Sequence, residues 1–543
     1  MDKENLTNRE NSRVAKAAGV VGAATMLSRI FGFIRDMVVA GYFGAGLTTD
    51  AFFVAFRIPN LLRRLLGEGS LTVSFVPIFT EYLKKKSLRE AGELANVACT
   101  ALSALLVIVA LAGMLLSPLI VTFMAPGFVK FPQQYELTVF LNRLMFPYVF
   151  FICLVALCMG ILNSLRHFAI PALSPVVLNI AMIAATLTLR GFFQEPITAL
   201  AVGVLIGGVL QLAMQWPVLV RMGMRLRPDF RFSHPGLKQI GRLMIPSILG
   251  SAVYQINIFI GTILASLLPR GSVSFLYYAD RIVELPLGVF AIAVGTASLP
   301  SFSEHAATGD FAKLKDTISF SLRLILFITI PATVALIVLR VPVISVLFQR
   351  GAFDASSTLM TADALLYYAL GLWAFSAIRI IDSAFFAIQD RKSPLKVAFL
   401  SLFVNLVGSI ILMYPLKHGG LALATSLASA VNVVTLTVIL RKKIGAFLDK
   451  EFYHSLRRTL VASLIMGGTL FLVSFCMKWD DAGSLRSRLY FLSASITVGL
   501  AAFLISSRLL KNKELMMLIA AVKRRLPLRN PPDKNIDFKG SKW

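Results

Sequence analysis

Apolar runs of about twenty residues recur along the whole chain, each broken by a short stretch carrying Lys, Arg, Pro or Gly. That is the length a helix needs to cross the hydrocarbon of a bilayer, so the pattern predicts about 14 transmembrane helices. Their centres fall near residues 30, 65, 108, 150, 180, 210, 253, 288, 328, 372, 404, 430, 467 and 498. With 57% hydrophobic and 15% charged residues among 543, the expected class is an all-α polytopic membrane protein.

The pattern also repeats itself. "PIFTE" (77–81) returns as "PSFSE" (300–304), and the same offset of 223 positions sets Pro171 on Pro394 and Ala199-Leu200-Ala201 on Ala422-Leu423-Ala424. Three matches in register indicate a duplication. An even number of spans per copy returns the chain to its starting side, so the expectation is two six-helix lobes in the same orientation, related by a pseudo-two-fold axis along the membrane normal. The expected divisions are an N-terminal segment at 1–16, one lobe at 17–230, the other at 231–447, two extra helices at 448–510 and a basic tail at 511–543.

The net charge of +26 would suit a nucleic-acid binder, but its placement does not. Basic residues concentrate in alternate loops, in "LKKKSLR" (83–89), "RMGMRLRPDFRF" (221–232), "DRKSPLK" (390–396), "RKK" (441–443) and "KRRLPLR" (523–529). Roughly 36 Lys/Arg lie on the side of the N-terminus against 9 on the other, which predicts both termini in the cytoplasm. The expected partners of the tail are membrane lipids rather than nucleic acid. Cys99, Cys153, Cys158 and Cys476 lie in apolar runs without CxxC spacing, and neither HExxH nor GxxxxGK[ST] occurs. No catalytic residue, cofactor or metal is therefore expected, and a transporter is favoured over an enzyme or an ATP-driven pump.

Charge inside the spans is the informative departure, because a charged side chain at the bilayer centre costs about 2.5 kcal/mol or more unless it faces a partner or water. Arg29, Arg35 and Asp36 fall in the first span, Asp50, Arg57, Arg63, Arg64 and Glu68 in the second, Asp280, Arg281 and Glu284 in the eighth, and Arg379 and Asp382 in the tenth. Positions 50, 57, 64 and 68 share one helical face, with Asn60 beside them, and that stripe is about 27 Å long at 1.5 Å per residue. It should line a water-filled cavity, with Pro59 kinking the helix beside it. Arg29 and Asp36 share a face, Gly32 and Gly41 offer bends that would bring Arg35 to the same cavity, and Ser274 shares a face with Arg281. Arg281 can pair with Glu284, and Arg379 with Asp382. A cavity rich in guanidinium, which never deprotonates and grips phosphate with a planar fork, expects a phosphate or pyrophosphate before a carboxylate.

At "SRIFGFIRD", "TDAFFVAFRIPNLLRRLLGEGSLTVSFVPIFTEY" and "GSVSFLYYADRIVELPLGVF" the sequence resembles the MurJ/MviN family of bacterial lipid II flippases, and the likeness covers nearly the whole chain. The resemblance implies two six-helix lobes in a V around a central cavity, with two extra helices forming a groove for a polyprenyl tail. The implied activity is moving the undecaprenyl-pyrophosphate-linked peptidoglycan precursor from the inner to the outer face of the cytoplasmic membrane. The family's cavity residues match here at Ser28, Arg29, Arg35, Asp50, Asn60, Arg63, Arg64, Ser274, Arg281 and Glu284, and Arg57 keeps the charge of a family lysine. On this reading Arg29, Arg35 and Arg281 hold the pyrophosphate, Arg57 and Arg64 extend the path, and Asp50 or Glu284 keeps the arginines apart. The implied partners are lipid II and the cell-wall synthesis machinery, and a monomer suffices.

Two departures stand out. Asp382 has no counterpart in at least one family member, and the seventh, eleventh and twelfth spans, where family members are associated with sodium, offer Gln255, Asn257, Asn405 and Asn432 without a carboxylate. The competing readings are a flippase for another polyprenyl-pyrophosphate oligosaccharide, a multidrug exporter of the same fold, which would favour carboxylates and aromatics over arginines, and a non-transporting membrane scaffold.

Overall fold

A computed structural model describes residues 2–65, 71–477 and 483–525, and every regular element among them is helical. The first half contains α1 (Asp2–Phe43), α2 (Leu47–Leu62), α3 (Thr72–Lys85), α4 (Leu88–Leu115), the short α5 (Ser117–Met124), α6 (Pro132–Met145), α7 (Tyr148–Ser164), α8 (Ala169–Leu189) and α9 (Thr198–Arg221). The second contains α10 (Pro235–Ser266), α11 (Ser272–Pro286), α12 (Ile292–Ala307), α13 (Phe311–Val338), the short α14 (Arg340–Phe348), α15 (Ala355–Ala369), α16 (Leu372–Ala387), α17 (Lys392–Leu416) and α18 (His418–Ile444). Two further long helices, α19 (Lys450–Cys476) and α20 (Leu485–Leu509), precede α21 (Lys513–Arg525).

Ten described stretches are long and apolar enough to cross a membrane, and α15 with α16, bent by 42° at their junction, makes an eleventh. The other three expected spans, α1, the α2–α3 pair and α10, are helical as well. About fourteen helices thus form two six-span bundles with two more alongside. Large apolar side chains remain exposed on the outer faces, among them Leu119, Phe403, Leu464 and Ile505, as lipid contact requires.

The duplication is visible in the helix boundaries. α4 and α13 both have 28 residues and begin at 88 and 311, while α6 and α15 begin at 132 and 355, and α8 and α17 at 169 and 392, all 223 positions apart. The caps follow the same register: Ser87 accepts the Glu90 N–H at the start of α4, and Asp310 accepts the Lys313 N–H at the start of α13. Pro77 and Pro300 both lie inside helices, α3 and α12. A π-helical turn occupies residues 63–65 after α2 and residues 287–291 between α11 and α12. Such turns hold an extra residue and re-aim the side chains around them, and here both fall in the second span of their repeat.

One large apolar core runs through the first bundle and reaches Tyr278, Phe348 and Phe353 of the second. Another fills the second bundle around Phe302, Ile380 and Phe385. A third, with Phe327, Met466, Leu470, Phe503 and Leu515, joins α13 to α19, α20 and α21.

Candidate functional site

The second spans of the two halves meet the first span between the bundles, and the charges meet there too. Asp36 of α1 is 2% exposed. Its Oδ1 accepts Arg35 Nη2 at 2.7 Å and Arg35 Nε at 3.0 Å, and the Tyr277 hydroxyl of α11 donates to it at 3.2 Å. Its Oδ2 lies 3.4 Å from Arg281 Nε, an ion-pair separation. The Tyr277 oxygen in turn accepts from Arg35 Nη2 and Arg281 Nη2, both at 3.1 Å. Arg281 donates through Nη1 to Glu284 Oε2 at 2.6 Å. One carboxylate and one phenol therefore bind two guanidiniums from opposite bundles, which offsets the hydration lost by the buried Asp36 and Arg35.

Packing sets this geometry. The Tyr277 ring stacks on Phe53 of α2 with centroids 3.9 Å apart, and the Arg281 guanidinium lies 4.8 Å from the centre of the same Tyr277 ring. Asn179 of α8 accepts Arg35 Nη1 at 3.0 Å and donates to the Ser28 carbonyl at 3.2 Å, tying the arginine to a neighbouring span. Arg29 reaches across to Gly288 in the second π-helical turn, so closely that a Cβ at 288 would overlap its guanidinium. Arg57 donates to the Thr262 hydroxyl of α10. Arg281, Glu284 and Asp280 keep accessible surface although they lie in a span, so this region is wet. Asp36 meets Arg35 and Arg281, Glu284 meets Arg281, and Arg57 and Arg64 lie within electrostatic reach of Asp280.

Asp50 and Ser274 stand elsewhere. Asp50 is 1% exposed and accepts the Gly271 N–H at 2.6 Å, the Ser274 N–H at 2.8 Å and the Ser274 hydroxyl at 2.6 Å. It caps the first turn of α11 from the opposite bundle, so its partners are backbone and hydroxyl donors rather than the arginines it was expected to separate. Close by, the Ala352 N–H donates to the Gly41 carbonyl at 2.9 Å, and the Tyr278 hydroxyl to the Gly44 carbonyl at 3.3 Å. Gly44 and Gly351, with φ of +68° and +56°, sit where a Cβ would collide with the facing backbone. The bundles are thus closed together on the face that carries the 44–46 turn, opposite the start of α1.

Of the other expected residues, Asn60, Arg63 and Arg64 are half-buried at and just after the end of α2, whereas Glu68 lies outside the described residues. Pro59 lies inside α2, and a π-helical turn begins four residues further on. Arg379 and Asp382 form no ion pair among the described residues: Arg379 is exposed and Asp382 half-buried on α16. Asn405 donates to Asn257 Oδ1 at 2.7 Å, and no cluster of three His, Cys, Asp or Glu suited to a metal occurs among the described residues. Asp36 was expected on the cavity face of the first span but not as a binding residue, and Tyr277, Asn179 and Thr262 were not expected at the site. Asn179 had a signal, a lone amide in an apolar run, and Tyr277 sits one helical turn before Arg281.

The family model described as lipid II flippase MurJ matches residues 39–490. A probable lipid II flippase MurJ of Buchnera aphidicola subsp. Acyrthosiphon pisum is 37% identical over 470 residues, covering 86% of this chain and 92% of the relative. One from Vibrio cholerae serotype O1 is 35% identical over 508 residues, covering 91% and 95%. Among solved structures, a lipid II flippase MurJ in an inward closed conformation superimposes with a TM-score of 0.76 at 28% identity, covering 90% of this chain and 98% of that one. An inward-facing multidrug resistance MATE transporter shares the fold, with a TM-score of 0.63 at 17% identity, covering 79% and 98%.

Proposed function

The chain belongs to the lipid II flippase family MurJ, and from that premise we propose that the cluster of Arg29, Arg35, Arg57 and Arg281 is where the pyrophosphate of lipid II is held on its way across the bilayer. The protein is a multi-pass bacterial membrane protein whose function is to move lipid II from the cytoplasmic to the outer leaflet by alternating access. With both termini in the cytoplasm, the closed face around Asp50 is periplasmic and the arginines await cargo from inside.

The observation that carries this reading is the Asp36 carboxylate shared between Arg35 and Arg281. It occupies the two guanidiniums of opposite bundles as an internal anion. A pyrophosphate offers more acceptor oxygens and more charge, so it replaces Asp36 on Arg35 and Arg281 and leaves Asp36 to the Tyr277 hydroxyl. Each charge-assisted hydrogen bond exchanged is worth about 1.5–3 kcal/mol, which is enough to alter how the bundles are held together. Arg57, Arg63 and Arg64 extend the positive path along the second span, with Asn60 and Ser28 at its edge. The groove beside α19 and α20 takes the polyprenyl tail, which never needs to leave lipid. The protein works as a monomer, and the cell-wall enzymes that consume lipid II are its partners.

Complementation tests the assignment. The gene should restore growth to a bacterium depleted of its lipid II flippase, and Arg281→Ala, expressed to the same level, should not. Failure of the wild-type gene despite good membrane expression would move the assignment to another polyprenyl-pyrophosphate cargo.

A further inference from the structure

After the last span the chain turns at Leu510–Asn512, with Lys511 at φ +55°, and starts α21. The first turn of α21 is pinned to the rest of the protein. Glu514 is 2% exposed with its Oε1 3.6 Å from Arg323 Nε, and Lys513 Nζ lies 2.9 Å from Glu451 Oε1, which also takes Arg323 Nη1 at 2.6 Å. Arg458 donates to the Lys511 carbonyl at 3.0 Å, and Leu515 is packed into the core that holds Phe327 and Phe503.

The next four residues do the opposite. Met516, Met517, Leu518 and Ile519 are all exposed, with Met516 at 58%. Leu518 and Ile519 share a helical face with Leu515, three and four residues earlier, and carry that apolar face out beyond the core in which Leu515 is buried. A helix fixed by ion pairs cannot turn these side chains inward, and the face that carries Leu518 and Ile519 needs cover.

Charge selects that cover. From Arg508 to Arg529 the sequence carries seven Lys/Arg and a single acid, Glu514, which is already paired. An amphipathic helix with basic residues, placed where a span leaves the bilayer, meets phospholipid headgroups first. We infer that α21 is an interfacial helix: Leu518 and Ile519 enter the leaflet on the side of the N-terminus, and anionic phospholipid headgroups bind its basic residues. This requires only that α20 spans the membrane, and it is independent of what the central site carries.

The test uses the full-length protein with Cys99, Cys153, Cys158 and Cys476 replaced by alanine and a nitroxide on Leu518→Cys, with Ile519→Cys as a second site. The protein is placed in nanodiscs of phosphatidylcholine alone or with phosphatidylglycerol. Accessibility to a neutral water-soluble nickel complex and to oxygen reports depth, and a label on the lipid-facing Leu464→Cys checks that the fold is unchanged. The label on α21 should be shielded from nickel and open to oxygen in the anionic discs and less so in the zwitterionic ones. Each basic residue near an anionic surface contributes about fivefold, so Lys523/Arg524/Arg525→Gln should lower the ratio of docked to free helix on the order of a hundredfold. Equal nickel accessibility in the two discs, or no effect of the triple substitution, overturns the inference and leaves this face to a protein partner.

Discussion

Replacing Asp50 by alanine should open the closed face. Its carboxylate takes three donors at 2.6–2.8 Å across the two bundles, two from the backbone at the start of α11 and one from Ser274. Loss of a helix cap costs about 0.5–2 kcal/mol and a buried hydrogen bond to a charged group about 1.5–3 kcal/mol. Part of this returns when water reaches the freed donors in the open state, so about 2–4 kcal/mol remains, a roughly 30- to 1000-fold change in the ratio of closed to open. Spin labels on Phe192 and Tyr414, both exposed at bundle ends on this face, report the separation by double electron–electron resonance. Asp50→Ala should add a longer-distance population in nanodiscs without cargo, and Asp50→Asn, which keeps one acceptor oxygen, a smaller one. A distance distribution identical to wild type would refute the assignment of Asp50 as the clasp between the bundles.

A Cβ at Gly288 would meet the flexible tip of Arg29 rather than backbone, so Gly288→Ala should leave thermal stability within about 0.5 kcal/mol of wild type while abolishing complementation. Gly468→Ala, where nothing lies within 4 Å, serves as the silent control. Arg57→Lys keeps the charge but not the planar fork and should reduce lipid II transport severalfold, whereas Arg57→Ala should stop it; equal activity of the two would remove Arg57 from the path. Each elementary charge crossing the full field is worth about 2.3 kcal/mol per 100 mV, so dissipating the membrane potential in vesicles with intact pH and sodium gradients should slow transport. An unchanged rate there would mean that the potential does not drive return of the cationic site.

The sequence carried the helices and the duplication because both leave one-dimensional marks, apolar runs about twenty residues long and a register of 223 that recurs in helix starts and caps. It also carried the arginines, since charge in a span is costly wherever the chain folds. The sharing of Asp36 was not legible, because its second cation, Arg281, is 245 positions away and the pairing exists only once the bundles meet. Asp50 was read as one more cavity acid because its partners are backbone N–H groups, which every residue but proline has and no sequence pattern marks. The π-helical turns were equally silent: residues 63–65, which hold Arg63 and Arg64, continue an ordinary helical pattern in sequence, and only the backbone shows the turn.

The most direct test of the central claim is transbilayer movement of lipid II in proteoliposomes made from the purified protein, followed by the accessibility of its headgroup to a membrane-impermeant enzyme. Wild type should move lipid II faster than protein-free vesicles, and Arg35→Ala and Arg281→Ala, reconstituted at equal density, should match the protein-free rate. Wild-type transport by Arg281→Ala would contradict the account, because the two bundles would then carry the pyrophosphate without the guanidinium that joins them.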